Sequence, residues 1–221
     1  VIAMTDPTAV EQLLLRLAPD GTGVAACQTE ASLFERLTAD ERVLVGLARP
    51  ARRAEFAAGR SCAHRALAAI GGDTDTIGRG RRRQPVWPAG VTGSISHAAG
   101  LAAAVAAPTT PSVTALGIDV ELAGPLDDEL WPHVLTPSER AMCSASDDRG
   151  AVAAAVFSAK EAAFKAVYPL LGAEIDFLEA KTVLQAGTGH VEIPSLGASA
   201  AVRHGRAGPF VVSLAIVTTA T

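Results

Sequence analysis

A chain of 221 residues can form one large domain or two small ones, each able to bury a core. With 49% apolar and 19% charged residues it is globular rather than disordered, and a net charge of −4 argues against general affinity for nucleic acid. Three unpaired-looking cysteines fit neither a disulfide framework nor a zinc site, the five histidines show no ligand spacing, and no apolar run reaches membrane-spanning length.

In chain order, Val1 to Asp6 lacks the basic and apolar regions of a secretion signal, and Met4 reads as nearer the natural start; with buried free thiols this reads as a cytoplasmic protein. Val10 to Leu17, with Leu13, Leu14 and Leu17 on one side, reads as a short amphipathic helix, and Thr22 to Gln28 as a buried strand. Thr38-Ala39-Asp40-Glu41 is a capping-box pattern opening a helix to about Leu47, and a longer helix runs from Ala51 to Ile70, closed by Gly71-Gly72. Asp73 to Gly90, rich in Gly, Arg and Pro, reads as a loop carrying Arg79, Arg81, Arg82 and Arg83. Val91 to Ser96 and Leu101 to Ala106 read as hairpin strands joined by His97-Ala98-Ala99-Gly100, and Pro108 to Pro111 as a linker. After the strand Leu116 to Glu121 come a loop through Gly124-Pro125 and a second capping box, Thr136-Pro137-Ser138-Glu139. An alanine-rich helix from about Ala151 to Val167 is ended by Pro169 and Gly172, and Lys181 to Ala186, Ser199 to Arg203 and Phe210 to Val217 read as strands.

Two of these stretches carry chemistry. Along Leu116 to Glu121 the apolar side chains point one way while Asp119 and Glu121 leave the other face side by side, a repulsion that calls for solvation or a shared cation. Glu161 on the alanine-rich helix supplies a third carboxylate, and hard oxygen donors favour Mg²⁺. Lys165, one turn beyond Glu161, would face the same phosphate. Arginines clustered at Arg49, Arg52, Arg53, Arg60 and Arg65 and at Arg79 to Arg83, in a mildly acidic protein, suggest a small phosphate-bearing ligand.

The chain also resembles itself. Placing Phe56 over Phe157 aligns Ala58 with Ala159, Gly71 with Gly172 and Arg60 with Glu161, and Ser96-His97 before one apolar strand matches Arg203-His204 before another. This predicts an α+β protein of two related halves, 1–111 and 112–221, with a ligand between them touched by Arg60 and Glu161.

Four motifs in order, Arg60-Ser61-Cys62-Ala63, Trp87 to His97 (WPAGVTGSISH), Gly117-Ile118-Asp119-Val120-Glu121 and Phe157 to Lys165 (FSAKEAAFK), resemble the Sfp-type 4′-phosphopantetheinyl transferases, especially the branch of enterobactin synthase component D. The resemblance implies two similar α/β subdomains related by a pseudo-twofold axis, coenzyme A and Mg²⁺ as ligands, and an apo acyl or peptidyl carrier protein as acceptor, in fatty-acid, polyketide, siderophore or non-ribosomal peptide synthesis. It implies a monomer, without nucleic-acid or membrane partners. Asp119, Glu121 and Glu161 match the family's metal-binding acids and Lys165 its phosphate-contacting lysine. Arg52, Arg60, Arg79, Ser96 and His97 match positions that hold the nucleotide and its 3′-phosphate, with Arg53, Arg82 or Arg83 taking a share. Transfer would have Glu161 accept the proton of the carrier serine, with Lys165 and Asp119 completing the catalytic group. The rival expectations are a Mg²⁺-dependent phosphohydrolase of coenzyme A and a non-catalytic carrier-protein or coenzyme-binding module.

Overall fold

The computed structural model describes residues 6–73, 76–124, 126–127, 129–173 and 175–219; Met4 and Pro125, named above, lie outside them. The first half contains α1 (Pro7–Leu17), β1 (Gly23–Gln28), α2 (Ala39–Val45), α3 (Pro50–Ala69), β2 (Gly78–Arg79), β3 (Pro85–Val86), β4 (Val91–Ala98) and β5 (Leu101–Pro108). The second contains β6 (Ala115–Leu122), α4 (Trp131–Val134), α5 (Pro137–Ser144), α6 (Arg149–Leu171), β7 (Lys181–Gln185), β8 (Thr188–Ile193), β9 (Ala198–Ala207) and β10 (Phe210–Val217).

The protein is an α+β fold built on two antiparallel sheets, β1-β5-β4 and β6-β10-β9-β8-β7. In each half the first strand pairs with the last, the last pairs with the one before it, and a long helix, α3 or α6, intervenes in sequence. The second sheet extends this order with β7 and β8.

Side-chain size explains the layering. Leu101, Ala103, Val105 and Ala107 of β5 meet Leu116, Ile118 and Val120 of β6 and Phe210, Val212, Leu214 and Ile216 of β10 in one core, closed by Val10, Leu13, Leu14 and Leu17 of α1. The opposite faces are built from small residues: Ala25, Ala102, Ala104 and Ala106 under α3, and Ala115, Ala200 and Ala215 under α6. Small side chains bring a helix close to a sheet, and glycine brings it closest. A Cβ at Gly23 would land on the carbonyl of Ala66 in α3, and one at Gly117 on that of Ala162 in α6.

The sheets meet where β4 runs beside β6 without a shared ladder. Thr92 Oγ1 accepts from the Leu116 amide at 3.1 Å and Ser96 Oγ from the Val120 amide at 3.2 Å, so side-chain hydroxyls satisfy strand donors that would otherwise be orphaned.

Some elements differ from the sequence expectation. The loop from Asp73 to Gly90 contains the two-residue strands β2 and β3. His97 belongs to β4, because the hairpin turns on Ala99 and Gly100 alone, at φ 46° and 80°. Pro169 does not end α6: it sits in the last turn, and the helix closes at Gly172, φ 65°, whose amide donates to the Tyr168 carbonyl at 2.8 Å. The strand β8 and the short helix α4 add to the expected elements. No helix among the described residues is long and apolar enough to cross a membrane.

Candidate active site

The site is set by the alternation of β6. With Leu116, Ile118 and Val120 committed to the central core, Gly117, Asp119 and Glu121 face α6. Gly117 lets α6 approach to backbone contact, and this brings Lys165 Nζ to 2.6 Å from Asp119 Oδ1. Ser96 of β4 completes the trio: its hydroxyl donates to Asp119 Oδ1 at 3.2 Å and accepts from Lys165 Nζ at 3.2 Å and the Val120 amide at 3.2 Å. One donor and two acceptor positions are all a serine hydroxyl has, so its orientation is fixed.

The neighbouring carboxylates are electrostatically strained. Burial pushes the Glu121 carboxyl up to about 7, and the charges of Asp119 and Glu161 push the same way against the pull of Lys165. Burial likewise raises Glu161, which Lys165 opposes and Asp119 reinforces. Asp119 Oδ2 is buried without a hydrogen-bond partner among the described residues. An orphaned carboxylate oxygen beside two acids whose charge is disfavoured fits a hard divalent cation, although no group of three His, Cys, Asp or Glu among the described residues is already gathered as a metal cage.

Glu161 and Lys165 line a cleft of about 380 Å³ between the halves, walled by Gly93, Ser94 and Ile95 of β4, Phe164 and Tyr168 of α6, Arg82 to Gln84 of the loop between β2 and β3, and Pro85 at the start of β3. Arg83, at φ 69°, also lines a second hollow of about 190 Å³ with Arg52, Arg79, Phe56, Val45 and Ala48. Arg52 donates to His97 Nε2 at 2.7 Å and pairs with Glu55 at 3.1 Å. Burial holds the His97 imidazole below its usual range; Glu55 opposes this, while Arg52 and Lys165 add to it. His97 is thus a neutral acceptor fixed against Arg52.

Two expected arginines lie elsewhere. Arg53 stacks over the Phe34 ring at 3.8 Å, beside Glu35 and Pro50, in a hollow separate from the cleft. Arg60 is only 3% exposed, stacked on Phe56 at 4.8 Å, donating to the Gly78 carbonyl at 2.8 Å and 3.9 Å from Glu41. Burial lowers its guanidinium to about 10, with Glu41 opposing and Arg79 reinforcing the fall. It therefore lies beneath β2 rather than in the cleft.

Comparison with known proteins bears on these halves directly. Residues 40–107 match the 4′-phosphopantetheinyl transferase N-terminal domain and residues 115–215 the 4′-phosphopantetheinyl transferase superfamily. The transferase PptT of Mycobacterium tuberculosis is 33% identical over 170 residues, covering 74% of this chain and 67% of that protein. The chain belongs to the 4′-phosphopantetheinyl transferase superfamily. The transferase Svp of Streptomyces mobaraensis is 40% identical over 153 residues, 68% of this chain and 62% of Svp. Enterobactin synthase component D of Salmonella typhimurium is 41% identical over 118 residues, 52% of this chain and 48% of that protein. The chain thus spans less than two thirds of Svp and about half of the enterobactin protein.

In this chain both capping boxes do more than start helices. Glu139 closes the box at Thr136, accepts Lys160 Nζ at 2.7 Å and takes the Thr182 amide at 2.8 Å. Lys160 is buried, and its ammonium also donates to the carbonyls of Val134 and Phe177 at 2.9 and 2.7 Å. Glu41 closes the box at Thr38, takes the Ile77 amide at 3.2 Å and meets His64 Nε2 at 2.8 Å. In both halves a buried capping glutamate ties the short helix to the long one and to the segment after it. The signal is present in the sequence as Leu37-Thr38…Glu41-Arg42 and Leu135-Thr136…Glu139-Arg140, a second internal repeat. Tyr168 and Gln84, which also line the cleft, are site residues that the sequence reading did not single out.

Proposed function

We propose that this chain transfers 4′-phosphopantetheine from coenzyme A to a serine of an apo acyl or peptidyl carrier protein, releasing 3′,5′-adenosine bisphosphate, as a monomer in the cytoplasm. The observation that carries the reading is the Ser96–Asp119–Lys165 trio, contributed by strands of both halves and by α6, at a cleft that also presents Glu161, Arg82 and Arg83. Glu161 and Lys165 facing Arg82 and Arg83 across one cleft, with Asp119 held at Lys165, suit a polyanionic substrate that itself brings a counter-cation.

Asp119, Glu121 and Glu161 would hold the divalent ion, Mg²⁺ by the chemistry of their oxygen donors; bound there it neutralises pyrophosphate charge and eases departure of the bisphosphate. Lys165, held by Asp119 and Ser96, is positioned to balance negative charge on the transferring phosphoryl group. Glu161 lines the cleft, and burial makes its carboxylate more basic, which suits it to take the serine proton as the hydroxyl oxygen attacks the β-phosphorus. Arg82 and Arg83 flank the diphosphate, while Arg52, Arg79 and Arg83, with His97 behind Arg52, form the hollow for the 3′-phosphate. Arg60 serves from below, by fixing β2 and hence Arg79. Arg53, in its separate hollow, takes no part.

Incubation with coenzyme A, Mg²⁺ and an apo carrier protein tests this: the carrier should gain the phosphopantetheine mass. Cleavage of coenzyme A without gain on the carrier would make the chain a phosphohydrolase. Binding without cleavage would make it a non-catalytic module.

A further inference from the structure

The pair of thiols between β1 and α3 lies outside the cleft and has no part in the transfer. Cys27 occupies the helix-facing side of β1, two residues from Ala25, and Cys62 the sheet-facing side of α3. Their sulfurs are 3.3 Å apart although 35 residues separate them in sequence.

The two sulfurs are not equivalent. Cys62 is fully buried, also within 3.4 Å of the Ala102 carbonyl, and is placed to donate its hydrogen to Cys27. Cys27 is only half-buried and lies close to Arg65, whose guanidinium donates to the Ala26 carbonyl at 3.0 Å and to Glu11 at 3.2 Å. The bond from Cys62 lowers the Cys27 thiol against the opposing effect of burial, and Arg65 lowers it further, while Glu30 and Glu11 resist; the same contact and burial raise Cys62. A half-buried cysteine that ionises first, backed by a fully buried one within contact distance, is the arrangement of an oxidant-responsive dithiol.

We infer that Cys27 and Cys62 form a modification site for hydroperoxides, with Cys27 as the attacked thiol and Cys62 as the resolving one. The Cys27 thiolate attacks hydrogen peroxide, forming an S–O bond as the O–O bond breaks, and the departing hydroxide takes a proton from solvent to leave as water. Cys62 sulfur then displaces the oxygen from Cys27, and its proton leaves with the hydroxyl as a second water. Two thiols and one peroxide become one disulfide and two waters. The sulfurs need to close from 3.3 Å to about 2.05 Å for the bond to form.

The test treats the reduced chain with hydrogen peroxide, followed by alkylation and non-reducing peptide mapping. A Cys27–Cys62 cross-linked peptide is expected, with Cys143, buried in a separate cluster, still a thiol. The cross-link should raise the melting temperature by about 5–10 °C, reversed by dithiothreitol. In Cys62→Ser, dimedone should trap a sulfenic acid on Cys27 and peroxide should leave the melting temperature unchanged. In Cys27→Ser, Cys62 should stay reduced. Absence of the cross-linked peptide from the wild-type chain, whether Cys27 remains a thiol or passes to sulfinic acid, overturns the inference; so does oxidation of Cys62 at the wild-type rate in Cys27→Ser.

Discussion

Gly117→Ala tests whether helix approach sets the site. A Cβ there would lie on the Ala162 carbonyl oxygen and 2.6 Å from the Ala166 nitrogen, both in the backbone of α6. No side-chain rotation relieves a clash with backbone, so the helix must retreat. Opening the nitrogen contact from 2.6 Å to an ordinary 3.4 Å needs a shift of about 0.8 Å, and the carbonyl requires more. Lys165 lies one turn beyond Ala162, so its 2.6 Å contact with Asp119 would stretch past hydrogen-bonding range. Overpacking of this kind costs about 1–3 kcal/mol of stability, and a misplacement near 1 Å costs roughly 100-fold in rate. Urea unfolding gives the first quantity, and the rate of mass gain on an apo carrier protein gives the second. A Gly117→Ala protein with wild-type unfolding midpoint and undiminished transfer would refute the idea that glycine-mediated contact positions Lys165.

Other outcomes follow from the same geometry. Glu161→Gln should abolish transfer while leaving the circular dichroism spectrum and melting temperature near wild type; full turnover by that variant removes Glu161 from the chemistry. Lys160→Met should destabilise the chain by about 3–5 kcal/mol in urea, because it leaves Glu139 charged and buried, and adding Glu139→Gln should recover part of the loss. Burial would raise the Glu41 carboxyl, but bonds from His64, Ile77 and Thr38 outweigh it and hold the group below its usual value. Its stabilisation is therefore complete above about pH 4.3, the ordinary glutamate value, and disappears as pH falls through the lower folded value. The stability of Glu41→Gln, followed by urea unfolding from pH 6 to 3, should fall less steeply with acid than that of the wild type. Ser96→Ala should cost about 1–3 kcal/mol by leaving the Val120 amide unpaired, and should slow transfer by loosening Lys165.

The strand alternation from Leu116 to Glu121 made the central part of the site legible, because a β-strand with one face in the core has no choice about where Asp119 and Glu121 point. Both capping boxes were legible for a similar reason: a threonine followed three residues later by glutamate satisfies helix donors wherever it occurs. That their glutamates also anchor Lys160 and His64 was not, since it depends on which helix packs above them. Arg60 shows a different limit. In an alanine-rich helix such as α3, buried on one side by residues too small to give a strong apolar stripe, periodicity does not separate an inward arginine from an outward one, and only packing on Phe56 and Gly78 settles its direction. Pro169 reads as a terminator in the sequence because proline lacks an amide, yet so near the helix end it forgoes only the bond to the Lys165 carbonyl, and the helix runs on to its close at Gly172. The proximity of Cys27 and Cys62 is purely tertiary and has no trace in their spacing.

Two hydroxyl clips, four residues apart on β4, join sheets that elsewhere would be zipped by a continuous ladder. Such a join fixes the strands to one another by side chains at two points, while the shared core of Leu101, Val105, Leu116 and Ile118 holds the two halves together behind them. The clip at Ser96 also carries Asp119 and Lys165, so the seam between the halves runs through the charged centre itself, and whatever disturbs that seam disturbs the three groups together.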